Sequence, residues 1–156
     1  MAKALLGPPR KTRRRLTKFH QHVIMTKLEL ILQAKAILRK CGNYDTSIAG
    51  AIGEIYAEEK LGMAKAKKGE KGYDGILNGK KLQVKTKETL TKTMSRYYVE
   101  ISNKNIGCAD ELVVIILRDT EEPYHLGPLP IESIEYRQSK IGRRYFLNKI
   151  QKVLDK

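Results

Sequence analysis

Apolar and polar positions alternate along this chain with two different periods. Between Val23 and Lys40 the apolar residues Ile24, Leu28, Ile31 and Leu38, with Leu30, Ala34 and Ile37 beside them, fall at helical spacing. Gly42 is placed to stop that helix. A second helix is expected from Ser47, a good N-cap residue, to just before Gly62. Its apolar stripe is Ile48, Ile52 and Ile55, and Ala49, Gly50, Gly53 and Ala57 form a strip of small residues beside it. A strip of that kind lets a helix lie close to a sheet or a ligand, and Glu54 falls between the two strips.

The period then shortens. Gly72–Leu77 and Lys80–Lys87 read as strands separated by Asn78-Gly79, the strongest short-range hairpin signal. Tyr97–Ile101 reads either as a strand or as a helical turn, within an ambiguous stretch from 88 to 110. Leu112–Leu117 is an unbroken apolar run, expected to be a central strand covered on both faces. Asp119–Pro123 reads as a turn, and Tyr124–Leu129 as an edge strand because Pro128 and Pro130 cannot donate to a ladder. From Ser139 onward Ile141, Tyr145, Phe146, Ile150, Val153 and Leu154 fall at helical spacing. Helices alternating with strands around one buried strand predict an α/β fold with a mixed central sheet and flanking helices.

A two-residue turn fixes which residues face each other. Leu77 then faces Lys80, Ile76 faces Lys81, Gly75 faces Leu82 and Asp74 faces Gln83. Tyr73, Leu77, Leu82 and Val84 are expected on a core face. Asp74, Gln83 and Lys85 converge on the other, with Asp74 and Gln83 as direct cross-strand neighbours. An aspartate and a neutral carbonyl oxygen suit a hard divalent cation such as Mg²⁺ or Mn²⁺. A lysine beside them can orient a water and stabilise charge that develops during phosphate chemistry. Glu54 could bring a second carboxylate.

Charge sharpens the picture. The 156 residues hold 31 Lys and Arg against 17 Asp and Glu, a net charge of +14. Residues 1–28 carry eight bases and no acid. Such an excess points to a polyanionic partner, nucleic acid before anionic membrane. Residues 1–20 are read as a flexible basic arm and 21–156 as a single domain, with Gly7-Pro8-Pro9 breaking any early helix. Arg10, Lys11, Arg13, Arg14, Arg15 and Lys18 of the arm are candidate nucleic-acid contacts. Lys87, two residues beyond Lys85 on the same strand face, is a further phosphate contact.

No apolar run is long enough for a membrane span. Cys41 and Cys108 stand at unrelated places, which excludes a disulfide framework and suits the cytoplasm. His20 and His22 flank one residue with no third ligand nearby, and His125 stands alone. Glu58 and Glu59 read as a solvated helix face, and Glu70, near Asp74, as a reserve ligand.

Glu54 on a helix, Gly72-Tyr73-Asp74-Gly75, the hairpin, and Leu82-Gln83-Val84-Lys85 together resemble the PD-(D/E)XK, or restriction-endonuclease-like, nuclease superfamily. The resemblance covers roughly Ile48 to Leu129. That family orders its core as helix, three strands, helix, strand. Its third-strand acid is replaced here by Gln83, as in the Gln-x-Lys variant of Mrr-like restriction endonucleases. The resemblance implies a restriction-endonuclease-like core. It makes Asp74 the principal metal ligand, Gln83 a ligand through its side-chain carbonyl and the Val84 backbone carbonyl a further one. Lys85 would position the attacking water, and Glu54 would complete the set. The implied activity is Mg²⁺-dependent endonucleolytic cleavage of DNA leaving a 5′-phosphate, with a homodimer expected where both strands are cut. The competing expectations are a non-catalytic basic nucleic-acid-binding protein and an RNA-directed nuclease. A pure binder has no reason to set an acid among these lysines, where it repels phosphate.

Overall fold

The apolar run becomes the middle strand of the molecule. In the computed structural model, which describes residues 25–40, 47–67, 69–89, 94–118 and 121–155, all six residues from Leu112 to Leu117 are buried. They belong to β5 (Glu111–Arg118). Side chains alternate along it: Val113, Ile115 and Leu117 face one core and Leu112, Val114 and Ile116 face another. Each such burial contributes roughly 1.5–3 kcal/mol. That is why this strand lacks the polar alternation of a half-exposed one.

The first core lies under α1 (Lys27–Lys40) and α2 (Ser47–Tyr56), with Leu28, Ile52 and Tyr56 packed on the sheet. The helix expected from Val23 begins, among the described residues, at Lys27. Thr26 and Glu29 form a capping box there: the Glu29 amide donates to Thr26 Oγ1 (3.2 Å) and the Thr26 amide to Glu29 Oε2 (2.8 Å). Residues 23–24 and 41–46 lie outside the described residues. Leu30 and Ile37, listed above as apolar companions of the stripe, are solvent-exposed. After α2 the chain makes one wide helical turn, Ala57–Leu61, and Gly62 ends it in the left-handed conformation.

The main sheet has the order β1 (Ala64–Lys65), β2 (Gly75–Leu77), β3 (Lys80–Glu88), β5, then β6 (Glu121–Pro130). It is mixed: β3 runs parallel to β5 and the other pairs are antiparallel. Three of the four expected pairs form, Gly75↔Leu82, Ile76↔Lys81 and Leu77↔Lys80, whereas the ladder ends at Gly75 and Asp74 is not paired with Gln83 in it. Asn78 (φ 51°) and Gly79 (φ 80°) take the two left-handed turn positions. β6 is the edge strand that Pro128 and Pro130 foretold, although it starts at Glu121 rather than Tyr124.

The second core lies between β5 and a smaller sheet of order β4 (Tyr98–Ser102), β8 (Gly142–Phe146), β7 (Tyr136–Gln138), together with α3 (Leu147–Leu154). Here the structure corrects the helix expected from Ser139: Ile141 precedes a strand that contains Tyr145 and Phe146. Tyr145 pairs with Val99 on one side and Tyr136 on the other, and its side chain is sealed in the core. Tertiary pairing of an aromatic residue overrides local periodicity. The family order implies a helix between β3 and β5. The described part of that crossover instead holds β4 and short 3-10 turns. Among the described residues no helix is long and apolar enough to cross a membrane.

Candidate nucleolytic cleft at the free edge of β3

β2 is only three residues long, so β3 loses its neighbour on that edge after Leu82. Asp74 takes over where β2 stops. Its amide still donates to Leu82 O (2.8 Å), which extends the ladder by one bond. Its side chain then replaces a strand: Asp74 Oδ2 accepts from the Val84 amide (2.7 Å) and from Gln83 Nε2 (2.5 Å). The N–H and C=O of one strand residue leave along the same edge. The Val84 carbonyl therefore opens beside Asp74, past the end of β2.

A cleft of about 500 Å³ runs along this edge. It is lined by Glu54, Asp74, Gln83, Val84, Lys85 and Lys87 among others, so all the expected catalytic and metal-binding positions meet there. Their placement follows from two elements. α2 lies against β3 and hangs Glu54 over the edge; β3 itself carries Gln83, Lys85 and Lys87 on its opposite face. Arg10, Lys11, Arg13, Arg14, Arg15 and Lys18 lie outside the described residues.

Asp74 is half-buried, and burial pushes its carboxyl above the ordinary aspartate range. The Val84 amide and the Lys85 ammonium pull it down, while the Glu54 carboxylate pushes it further up. A carboxyl whose folded pKa is raised binds its proton more readily when folded. Its ionised form therefore costs stability above that pKa, and the cost disappears below the unfolded value. Asp74→Asn is expected to raise the melting temperature at neutral pH. Asn can still accept from the Val84 amide, and a turned Gln83 amide can accept from its NH₂. The gain should shrink as pH falls towards the ordinary aspartate range, where the wild-type carboxyl takes up its proton. Thermal melts in EDTA between about pH 4 and pH 8 read this directly. A variant less stable than wild type at neutral pH refutes the account of Asp74 as a desolvated carboxylate.

Gln83 is only 4 % exposed, and its Oε1 is buried with no hydrogen-bond partner among the described residues. A buried orphan carbonyl costs on the order of 1–3 kcal/mol. Turned by 180°, the amide would set Oε1 beside the Asp74 carboxyl, an arrangement made favourable by a cation between the two oxygens or by the proton of a neutral Asp74. The donor set Asp74, Gln83 Oε1, Val84 C=O and Glu54 is all oxygen, which fits Mg²⁺ or Mn²⁺ with water completing the shell. Among the described residues no three His, Cys, Asp or Glu side chains form a metal group. Gln83→Glu should keep or strengthen Mg²⁺ and Mn²⁺ binding in calorimetric titration. Gln83→Leu should weaken it by about 10–100-fold or more. Equal affinity in wild type and Gln83→Leu would leave Gln83 a plain polar strand residue.

Glu54 is less committed. Its Oε2 lies 2.9 Å from Lys65 Nζ, which also sits 3.5 Å from Glu58 Oε1. Both members of the Glu54–Lys65 pair are well exposed, so it is a weak tie. Sequence reading missed Lys65, because a two-residue strand has no period to detect. Two expectations change. Tyr73 is not on the core face: it precedes β2, which starts only at Gly75, and its half-buried ring lies under Lys81 Nζ at 5.1 Å. The Tyr73 hydroxyl donates to Glu70, so Glu70 is engaged away from the cleft. His125, on β6, meets the Tyr56 hydroxyl at 3.2 Å.

Compared with known proteins, the chain matches no family model and no curated relative.

Proposed function

We propose that this chain is a metal-dependent endonuclease that hydrolyses phosphodiester bonds in DNA, built on a restriction-endonuclease-like core. The observation that carries the reading is one cleft at a free strand edge. There, a desolvated aspartate, the buried Gln83 amide that bonds it and a half-buried lysine meet beside a helical glutamate.

Asp74, Gln83 Oε1 and the Val84 carbonyl would hold Mg²⁺ or Mn²⁺, with Glu54 as a fourth donor once it leaves Lys65. Such an ion, when bound, polarises the phosphate and lowers the pKa of a water. The chain's own residues do the rest. Lys85 orients the attacking water and donates to the charge gathering on the phosphate oxygens. Water adds to phosphorus and the bond to the 3′ oxygen breaks, leaving a 5′-phosphate and a 3′-hydroxyl. Lys87, at the far end of the cleft, holds the neighbouring phosphate. Cutting both strands calls for two copies of this site.

Incubation with supercoiled and linear DNA in Mg²⁺, Mn²⁺ or EDTA tests the proposal. Nicking or linearisation is expected with either cation and none in EDTA. A folded protein that binds DNA and leaves it intact in both cations refutes the catalytic reading and supports the binder.

A further inference from the structure

The small sheet β4–β8–β7 has one face in the second core, through Val99, Ile101 and Tyr145. Alternation places Tyr98, Glu100, Arg144, Phe146 and Arg137 on the other face. The register joins them: Tyr98↔Phe146, Glu100↔Arg144 and Arg137↔Arg144 are direct cross-strand neighbours. The Tyr98 and Phe146 rings lie 5.7 Å apart. Each carries a guanidinium: Arg144 sits 4.8 Å over Tyr98 and Arg137 5.5 Å over Phe146.

This face is continuous with the cleft. Lys87 lines the cleft, and its Nζ lies 5.9 Å from the Tyr97 ring centre and 5.7 Å from that of Tyr98. From Lys85 through Lys87 and Tyr98 to Arg137 is a path of roughly 20 Å across the strands. Two acids flank this face among the described residues: Glu100 is engaged by Arg144 (2.9 Å) and by the Ser139 hydroxyl (2.8 Å), and Glu135, which lines a pocket with Arg137 and Phe146, is paired with Lys149 (2.6 Å). Among the described residues Arg137 and Lys87 have no acidic partner.

We infer that the outer face of β4–β8–β7 binds the phosphodiester backbone of the nucleic acid and leads it through Lys87 into the cleft. The inference rests on the nucleic-acid part of the proposed function and is independent of the metal chemistry. A guanidinium stacked on a ring keeps its fork of N–H donors in one plane and its head from wandering, so less entropy is lost when it grips a phosphate. Two such heads and one lysine in a row, following the line to the cleft, match the repeated negative charge of a backbone. The same array contacts no base edge in a defined way, so it positions rather than specifies.

The test is fluorescence anisotropy of the full chain in EDTA, with a short labelled duplex and the single strand of the same sequence, over a salt series. Arg137→Ala removes an exposed cation from the outermost strand β7. The paired variant Glu100→Gln/Arg144→Gln removes a cation without changing net charge. Lys104→Ala, exposed in the turn that follows β4, is the control for a lost charge elsewhere. Arg137→Ala and the paired variant should each flatten the slope of log K against log salt by about 0.9 on duplex, or about 0.7 on single strand. Lys104→Ala should leave the slope within error. If wild type binds and both variants match Lys104→Ala, the surface is overturned and the nuclease reading is untouched. If the slopes flatten as expected but no cation supports cleavage, the surface stands and the catalytic reading falls. Wild type that binds neither strand form overturns both.

Discussion

Lys85→Ala should leave the protein folded and bound to DNA yet cut the rate of Mg²⁺-supported cleavage by about 10²–10⁴-fold. Lys85 lies on β3 beside Asp74, close enough that its charge lowers the Asp74 carboxyl. On the proposed function, its loss removes the group that would orient the water and meet the charge of the transition state. Affinity changes little, because one cation among 31 contributes about one unit at most to the salt slope. Asp74→Ala should be equally inactive for a different reason: the principal oxygen donor is gone, and the Val84 amide loses its acceptor. If DNA binds at the cleft as proposed, removing its acid should tighten that binding. The two variants therefore separate on one axis. Lys85→Ala keeps its response to Mg²⁺ in a thermal melt, and Asp74→Ala loses it. Cleavage by purified Lys85→Ala at the wild-type rate would remove Lys85 from the site.

The candidate site was legible because it is local. Asp74, Gln83 and Lys85 belong to one hairpin whose two-residue turn admits a single register, so sequence order alone places them together. β5 was legible for an equally simple reason: a strand buried on both faces has no polar alternation to mask it. What stayed hidden is non-local or energetic. β8 draws its identity from pairing with β4, 40 or more residues away, and with β7, and the apolar spacing that continues to Leu154 outweighed the strand signals in Gly142, Tyr145 and Phe146. Lys65 reaches Glu54 only because β1 closes the edge of the sheet. The orphaned Gln83 carbonyl is a property of the packed interior, since it depends on which way the amide turns. The start of α1 is a different case. The Thr26-x-x-Glu29 pattern is written in the sequence, and the apolar period running back towards Val23 outweighed it.

Gly53→Val should destabilise the protein strongly and disturb the cleft at the same time. A Cβ at Gly53 would stand 1.9 Å from Thr86 Oγ1, 3.3 Å from Thr86 Cβ and 3.6 Å from Val84 Cγ1. At this point α2 therefore rests directly on the Thr86 and Val84 side chains of β3 and contributes no side chain of its own. Alanine offers a partial escape, because the Thr86 hydroxyl can swing aside and alanine favours the helix by up to about 1 kcal/mol over glycine. Valine brings two more methyl groups into a space that Val84 and Thr86 already fill. The helix must lift, and the expected cost is about 3 kcal/mol. For a chain of this size that corresponds to a fall of roughly 6–12 °C in melting temperature. Glu54 is the next residue, so lifting the helix also carries its carboxylate away from Asp74, and the response of the melt to Mn²⁺ should weaken in the same variant. The clash is specific enough to be relieved. Thr86→Ala removes the atom nearest the new Cβ, so Gly53→Ala/Thr86→Ala should be more stable than the sum of the two single variants predicts. A Gly53→Val protein that melts with wild type, or additive behaviour in the alanine pair, would show that α2 does not touch β3 at this point. The placement of Glu54 over the cleft would then lose its support.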